Sequence, residues 1–114
     1  MTPFNMVRDV NGFNGFGLTP SDDMADTTLA ANVAQTFTVP TTAAFYIAIF
    51  SIDPGLRVFA RYDGSAAVLP SGSVVTTNKS ELNPVGRKLQ GGSTFSCITP
   101  DASAYVQVSY YAVQ

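Results

Sequence analysis

"AYVQVSYYAV", residues 104–113, places Val106, Val108 and Tyr110 on one side of a two-residue alternation. Tyr105, Gln107, Ser109 and Tyr111 fall on the other side. Successive side chains of a strand point to opposite faces, so this pattern predicts a strand with one face in a core. A helix would need apolar residues sustained at three and four apart, and the stretch does not sustain that spacing. Its aromatic and β-branched residues also suit a pleated, half-buried surface.

Working outward, the same grammar repeats. "AQTFTVP" puts Phe37 and Val39 on one face and Thr36 and Thr38 on the other. "AFYIAIFSI" is apolar on both faces, which predicts a central strand or one lying under an interface. "LRVFARY" alternates Val58, Ala60 and Tyr62 against Arg57, Phe59 and Arg61. Asp53-Pro54-Gly55, Asp63-Gly64 and Gly91-Gly92 punctuate these runs as turns. Two runs end in proline, Pro40 and Pro100, which cannot extend a ladder through the middle of a sheet. "LAANVAQ" is the nearest approach to a helical turn, and it is brief. Many short alternating runs at regular spacing predict an all-β sandwich or barrel. After Asp63-Gly64, Ser65–Gly72 reads as an irregular excursion to the next strand.

Residues 1–26 differ from the rest. "NGFNGFGLTPSDD" is full of turn signals, yet Phe4, Met6, Val7, Val10, Phe13, Phe16 and Leu18 are apolar. A disordered tail does not normally carry so many. The segment is either a hairpin on the domain or an arm that packs on a partner chain. Residues 27–114 are the β domain. Asp22, Asp23 and Asp26 read as a solvated acidic loop. A calcium site there would lack the ligand order and glycine of an EF-hand.

Composition narrows the chemistry. The chain has 114 residues and a net charge of −2, about one domain. Charged residues make up 12%, about half the usual ~25%. The surface must therefore be rich in Thr, Ser, Asn, Gln and Ala, and depletion of charge is typical of interface cores. The six basic residues form no dense run, so a phosphate-neutralising footprint is missing and no nucleic-acid partner is expected. Arg87-Lys88 is the one adjacent basic pair, by default a solvated strand end. No stretch approaches the ~20 apolar residues of a membrane span, and "MTPFNMVRDVNG" has no apolar signal region. No membrane partner is expected.

With no histidine, the Ser-His-Asp triad, the Cys-His pair and His-containing zinc sites are excluded. The single cysteine, Cys97, excludes an internal disulfide and Cys-rich zinc sites, and reads as a small buried hydrophobe. No phosphate-binding loop or dinucleotide fingerprint is present. A two-carboxylate hydrolase stays formally open, but turn capping accounts for Asp53, Asp63 and Asp101. No enzyme, cofactor or metal is expected.

The ordered string "TLAANVAQTFTVP…FYIAIFS…VFARYDGSAAVLPSG…SELNPVGRKL…STFSCITPDASAYVQVSYY" resembles a group of small structural proteins of tailed bacteriophages. The shared pieces are an Ala-Asn-x-Ala-Gln-Thr strand start and a Tyr-Asp/Asn-Gly-x-Ala-Ala corner. A Ser-Glu-Leu-Asn-Pro segment and a final aromatic, β-branched strand follow. The resemblance runs from Thr28 to the C-terminus. It implies a capsid decoration, or cement, protein. The expected fold is a jelly-roll-like antiparallel β-sandwich with an extended N-terminal arm. Such a protein, made in the host bacterial cytoplasm, would sit on the outer capsid surface of the virion. It would bind the major capsid protein and itself, as a homodimer in preference to a homotrimer. Candidate interface residues are Phe4, Phe13, Phe16 and Leu18 of the arm, with Arg87 and Lys88. The alternative is a virion fibre or receptor-binding module recognising a host surface ligand.

Overall fold

The computed structural model describes Pro3 and residues 7–8, 14–15, 20–71 and 79–113. The final alternating run forms the longest strand and organises the first sheet. Ten strands are described, and no helix is found among the described residues. They are β1 (Val7–Arg8), β2 (Asn14–Gly15), β3 (Asp23–Ala30), β4 (Gln35–Thr38) and β5 (Phe45–Ile52). After these come β6 (Phe59–Arg61), β7 (Glu81–Leu82), β8 (Gly86–Gln90), β9 (Thr94–Ile98) and β10 (Ser103–Ala112). The sheets have strand orders β3-β10-β5-β8 and β4-β9-β6-β7, and every pairing between these strands is antiparallel. Near the N-terminus, β1 pairs with β2, and Pro3 makes a parallel bridge to Ala112.

From β3 onward the chain changes sheet at every connection except β6 to β7. Tight turns make this possible. At Asp53-Pro54-Gly55, the Leu56 N–H donates to the Asp53 carbonyl at 3.3 Å, and Gly55 takes a φ of 78° that a side chain would resist. At Gly91-Gly92, where β8 crosses to β9, a Cβ on Gly91 would lie 2.2 Å from the Ala43 carbonyl oxygen. Glycine alone fits there.

The core fills the space between the sheets. Val106, Val108 and Tyr110 of β10 point inward, as their alternation predicts, while Tyr105 is exposed. Phe37, Val39, Val58, Ala60 and Cys97 are also buried there. Phe95 is the centre of an aromatic group. It stacks on Phe37 with centroids 5.0 Å apart and meets Phe50 of the facing sheet edge-on at 5.7 Å. Tyr62 closes the group at 6.0 Å. Such pairs add roughly 0.5–1.5 kcal/mol each beyond the area they bury. The β5 strand, apolar on both faces, is central, between β10 and β8.

One expectation needs correction. Asp23 and Asp26 are not in a solvated loop, because β3 begins at Asp23 and pairs with β10 without interruption. The β10 strand is long enough to recruit these residues, and Ser21 pins the entry. Its hydroxyl donates to the Tyr110 carbonyl at 2.5 Å and accepts from the Asp23 N–H at 3.1 Å. The first sheet therefore starts four positions before the expected boundary at residue 27. Phe59 shares its side of the alternation with Arg57 and Arg61, yet it is only 9% exposed. The segment after Asp63-Gly64 causes this. It folds back over the second sheet, where Ala67 and Leu69 pack on Phe59 and Ile98.

Candidate interaction surface

The outer face of the first sheet is a broad surface with few charges, Asp26 and Lys88 among its strand residues. By register, Met24, Ser109 and Ile49 lie in one row across it, and Asp26, Gln107 and Ser51 in the next. Thr28 and Tyr105 form a third row, and Tyr111, Ile47 and Lys88 a fourth. Met24 is 50% exposed, and Phe45 and Tyr105 are exposed as well. Tyr111 shares this outer face but is only 5% exposed.

Arg87 and Lys88 are adjacent on β8, so they face opposite sides of the sheet. Arg87 lies opposite Ala48, an inward position, and its guanidinium binds the Glu81 carboxylate. The same carboxylate accepts the Tyr62 hydroxyl at 3.0 Å. Burial, then the Glu81 contact, holds the Tyr62 hydroxyl well above the ordinary tyrosine range. The bond to Glu81 also pushes the Arg87 guanidinium upward. Arg87 thus closes one edge of the sandwich. Lys88 lies opposite Ile47 on the outer face, with Nζ 4.8 Å from the Phe45 ring centroid. That distance suits a cation–π contact. The structure does not bring the two basic residues to one point. Phe4, Phe13, Phe16 and Leu18 lie outside the described residues.

The carboxylates of the turns are engaged with the backbone. Asp101 Oδ2 accepts the Arg57 N–H at 2.8 Å, and Asp53 Oδ2 accepts the Tyr105 N–H at 3.0 Å. Asp63 Oδ1 accepts the Ser65 N–H at 3.1 Å while Arg61 grips both carboxylate oxygens at 2.7 and 2.9 Å. The Arg61 contact, first, and the backbone bond hold the Asp63 carboxyl below its usual range. Asp23 and Asp26 alternate along β3 and so point to opposite faces. Among the described residues, no three of His, Cys, Asp and Glu gather in a way that could hold a metal ion.

Three polar residues that sequence reasoning passed over stitch the second sheet to its loops. Ser96 accepts the Ala67 N–H at 3.0 Å, and this bond seats the returning segment. Thr99 donates to the Arg57 carbonyl at 2.6 Å. Asn83, at φ 45°, exchanges bonds with Val58. Its side chain accepts the Val58 N–H at 2.8 Å, and its N–H donates to the Val58 carbonyl at 2.7 Å. The Asn-Pro pair at 83–84 was the available signal, since Asn tolerates a left-handed backbone. Cys97 is fully buried, and burial pushes its thiol up to about 12.

Compared with protein-family models, with curated proteins and with solved structures, the chain matches none.

Proposed function

We propose that this chain is a non-enzymatic decoration protein of a tailed-bacteriophage capsid. It binds the outer shell and stabilises contacts between major capsid protein subunits. The observation that carries the reading is the outer face of the first sheet. It is broad, carries Asp26 and Lys88 as its charges in the rows given above, and mixes Thr, Ser and Gln with exposed Met24, Phe45 and Tyr105. A surface of this kind repels neighbours weakly and desolvates at modest cost. Many copies on a lattice then turn individually weak contacts into firm attachment.

The sandwich reads as a jelly roll. Eight strands ordered β3-β10-β5-β8 and β4-β9-β6-β7, with the chain passing between sheets at nearly every connection, correspond to two Greek keys. That architecture recurs in viral capsid domains, although it also serves lectins and cupins, so the surface and the sequence resemblance bear the functional weight. The N-terminal segment acts as an arm toward the shell, with Phe4, Phe13, Phe16 and Leu18 as anchors, since aromatics dominate interface energies.

The test is sedimentation with emptied shells that lack the protein. The full chain is expected to co-sediment saturably. A variant lacking residues 1–19, which keeps Ser21 and all of β3, is expected to retain its β-sheet circular dichroism and bind at least about tenfold more weakly. Full-strength binding by the folded truncated variant would remove the arm from the account. Failure of the full chain to bind shells would remove the decoration reading.

A further inference from the structure

Among the described residues, three of the four edges of the two four-stranded sheets are very short, stop at a proline or carry lysine, and the fourth is longer and has none of these features. The edge strand β7 has two residues, and β4 has four with Pro40 close behind. The edge strand β8 carries Arg87 and Lys88. Short strands, proline and charged side chains, lysine above all, are the usual means of blunting an edge. The remaining edge, β3, has eight residues, "DMADTTLA", with no proline, no lysine and an unbroken ladder, and its charges are two carboxylates, Asp23 at its start and Asp26 on the outer face. We infer that β3 is a self-association edge. Two copies pair antiparallel through it, with the two-fold axis at Thr27, and join their first sheets into one continuous sheet.

The backbone directions follow from β10. The Tyr105 N–H and C=O both turn toward Asp53, on the β5 side. Bonding sides alternate along an antiparallel strand, so Ala104, Val106, Val108 and Tyr110 turn toward β3. The bond from Ser21 to the Tyr110 carbonyl lies on that side. Their register partners Leu29, Thr27, Ala25 and Asp23 are therefore spent on β10. The N–H and C=O of Met24, Asp26 and Thr28 point away from the sheet, as does the Ala30 N–H. The Ala30 carbonyl already accepts the Val33 N–H at 3.2 Å. Met24, Asp26, Thr28 and Ala30 are all exposed.

Charge selects the register. A copy centred on Asp26 would set two carboxylates directly opposite, which destabilises a strand pair. Centring on Thr28 sets Met24 opposite Asn32, which lies beyond the strand with a φ of 60°. Centring on Thr27 places Asp26 opposite Thr28 and Met24 opposite Ala30 of the second copy, and the whole exposed edge is used. Inward residues of both copies stay on the core side, because directly opposed residues share a face. The contact is small beside the ~1,600 Å² of a standard interface, so the dimer is reversible and shifts with concentration. It involves two copies of this chain alone and stands apart from the capsid reading.

The test combines sedimentation equilibrium with cysteine cross-linking. The unaltered protein is expected to show a concentration-dependent monomer–dimer equilibrium. Thr28→Pro removes an outward N–H and leaves the β10 ladder intact, so the dissociation constant is expected to rise roughly tenfold or more. Thr27→Cys is expected to form a disulfide-linked dimer under mild oxidation, since opposed non-hydrogen-bonded residues lie about 4.5 Å apart at Cα. Thr28→Cys, whose copies sit diagonally, is expected to cross-link far less. Circular dichroism checks that each variant is folded, and the two cysteine variants keep the test decisive if Thr28→Pro is not. A protein that stays monomeric at every concentration overturns the interface. Preferred cross-linking at position 28 overturns the register. A monomer that still binds shells would separate this failure from failure of the decoration reading.

Discussion

Tyr110 sends its ring into the core against Tyr46, edge-on at 6.3 Å, yet its hydroxyl is buried with no hydrogen-bond partner among the described residues. A buried unsatisfied hydroxyl typically costs about 1–3 kcal/mol. Tyr110→Phe keeps the ring and deletes that atom. It is expected to leave stability unchanged or raise it by about 1 kcal/mol in urea unfolding at neutral pH. The same residue carries a pH signature. Burial pushes the Tyr110 hydroxyl from 10.0 up to about 12. Between those values the unfolded chain sheds a proton that the folded chain keeps, so stability falls as pH rises through that window. Below pH 10 the contribution is fully present. Urea midpoints from pH 9 to 12 are expected to decline for the unaltered protein and less steeply for Tyr110→Phe. Equal slopes would mean that another group drives the alkaline loss.

At the scale of elements, the segment Ser65–Ser71 shows how an irregular stretch becomes part of the structure. It has no ladder, but Ala67 seals Phe59 and Ile98, and Ser96 satisfies the Ala67 N–H. Ser96→Ala would leave that buried N–H without its acceptor and is expected to destabilise the fold by about 1–3 kcal/mol in chemical denaturation. A change below about 0.3 kcal/mol would show that the segment is held by packing alone. The β10, β5 and β4 strands were legible because each alternates or is apolar throughout, and period two is a strong signal. The bend after Asp63-Gly64 was legible as a corner. That it turns back over the sheet was not, because a small residue such as Ala67 reads alike in a solvated loop and in a lid. The start of β3 was hidden for a similar reason. Asp22-Asp23 and Asp26 have loop composition, and tertiary pairing with β10 overrides it.

At the scale of the whole molecule, two four-stranded sheets give the chain one closed core and one broad, weakly charged outer face. The all-β class followed from the absence of helical spacing. Strand order did not, because period two says which way a side chain points and nothing about which strand lies beside it. The candidate surface was half legible. Low charge pointed to an interface, whereas the partition of Arg87 to Glu81 and Lys88 to Phe45 depends on cross-strand register. The long β3 edge likewise emerges only once the sheet order is known. A decoration protein is expected to cover the viral shell in many copies. The most direct measurement is its copy number in purified virus particles, by quantitative mass spectrometry against the major capsid protein. A ratio near that of the coat is expected. A few copies per particle would move the protein to a fibre or vertex with a receptor-binding role, and complete absence would contradict the virion assignment altogether.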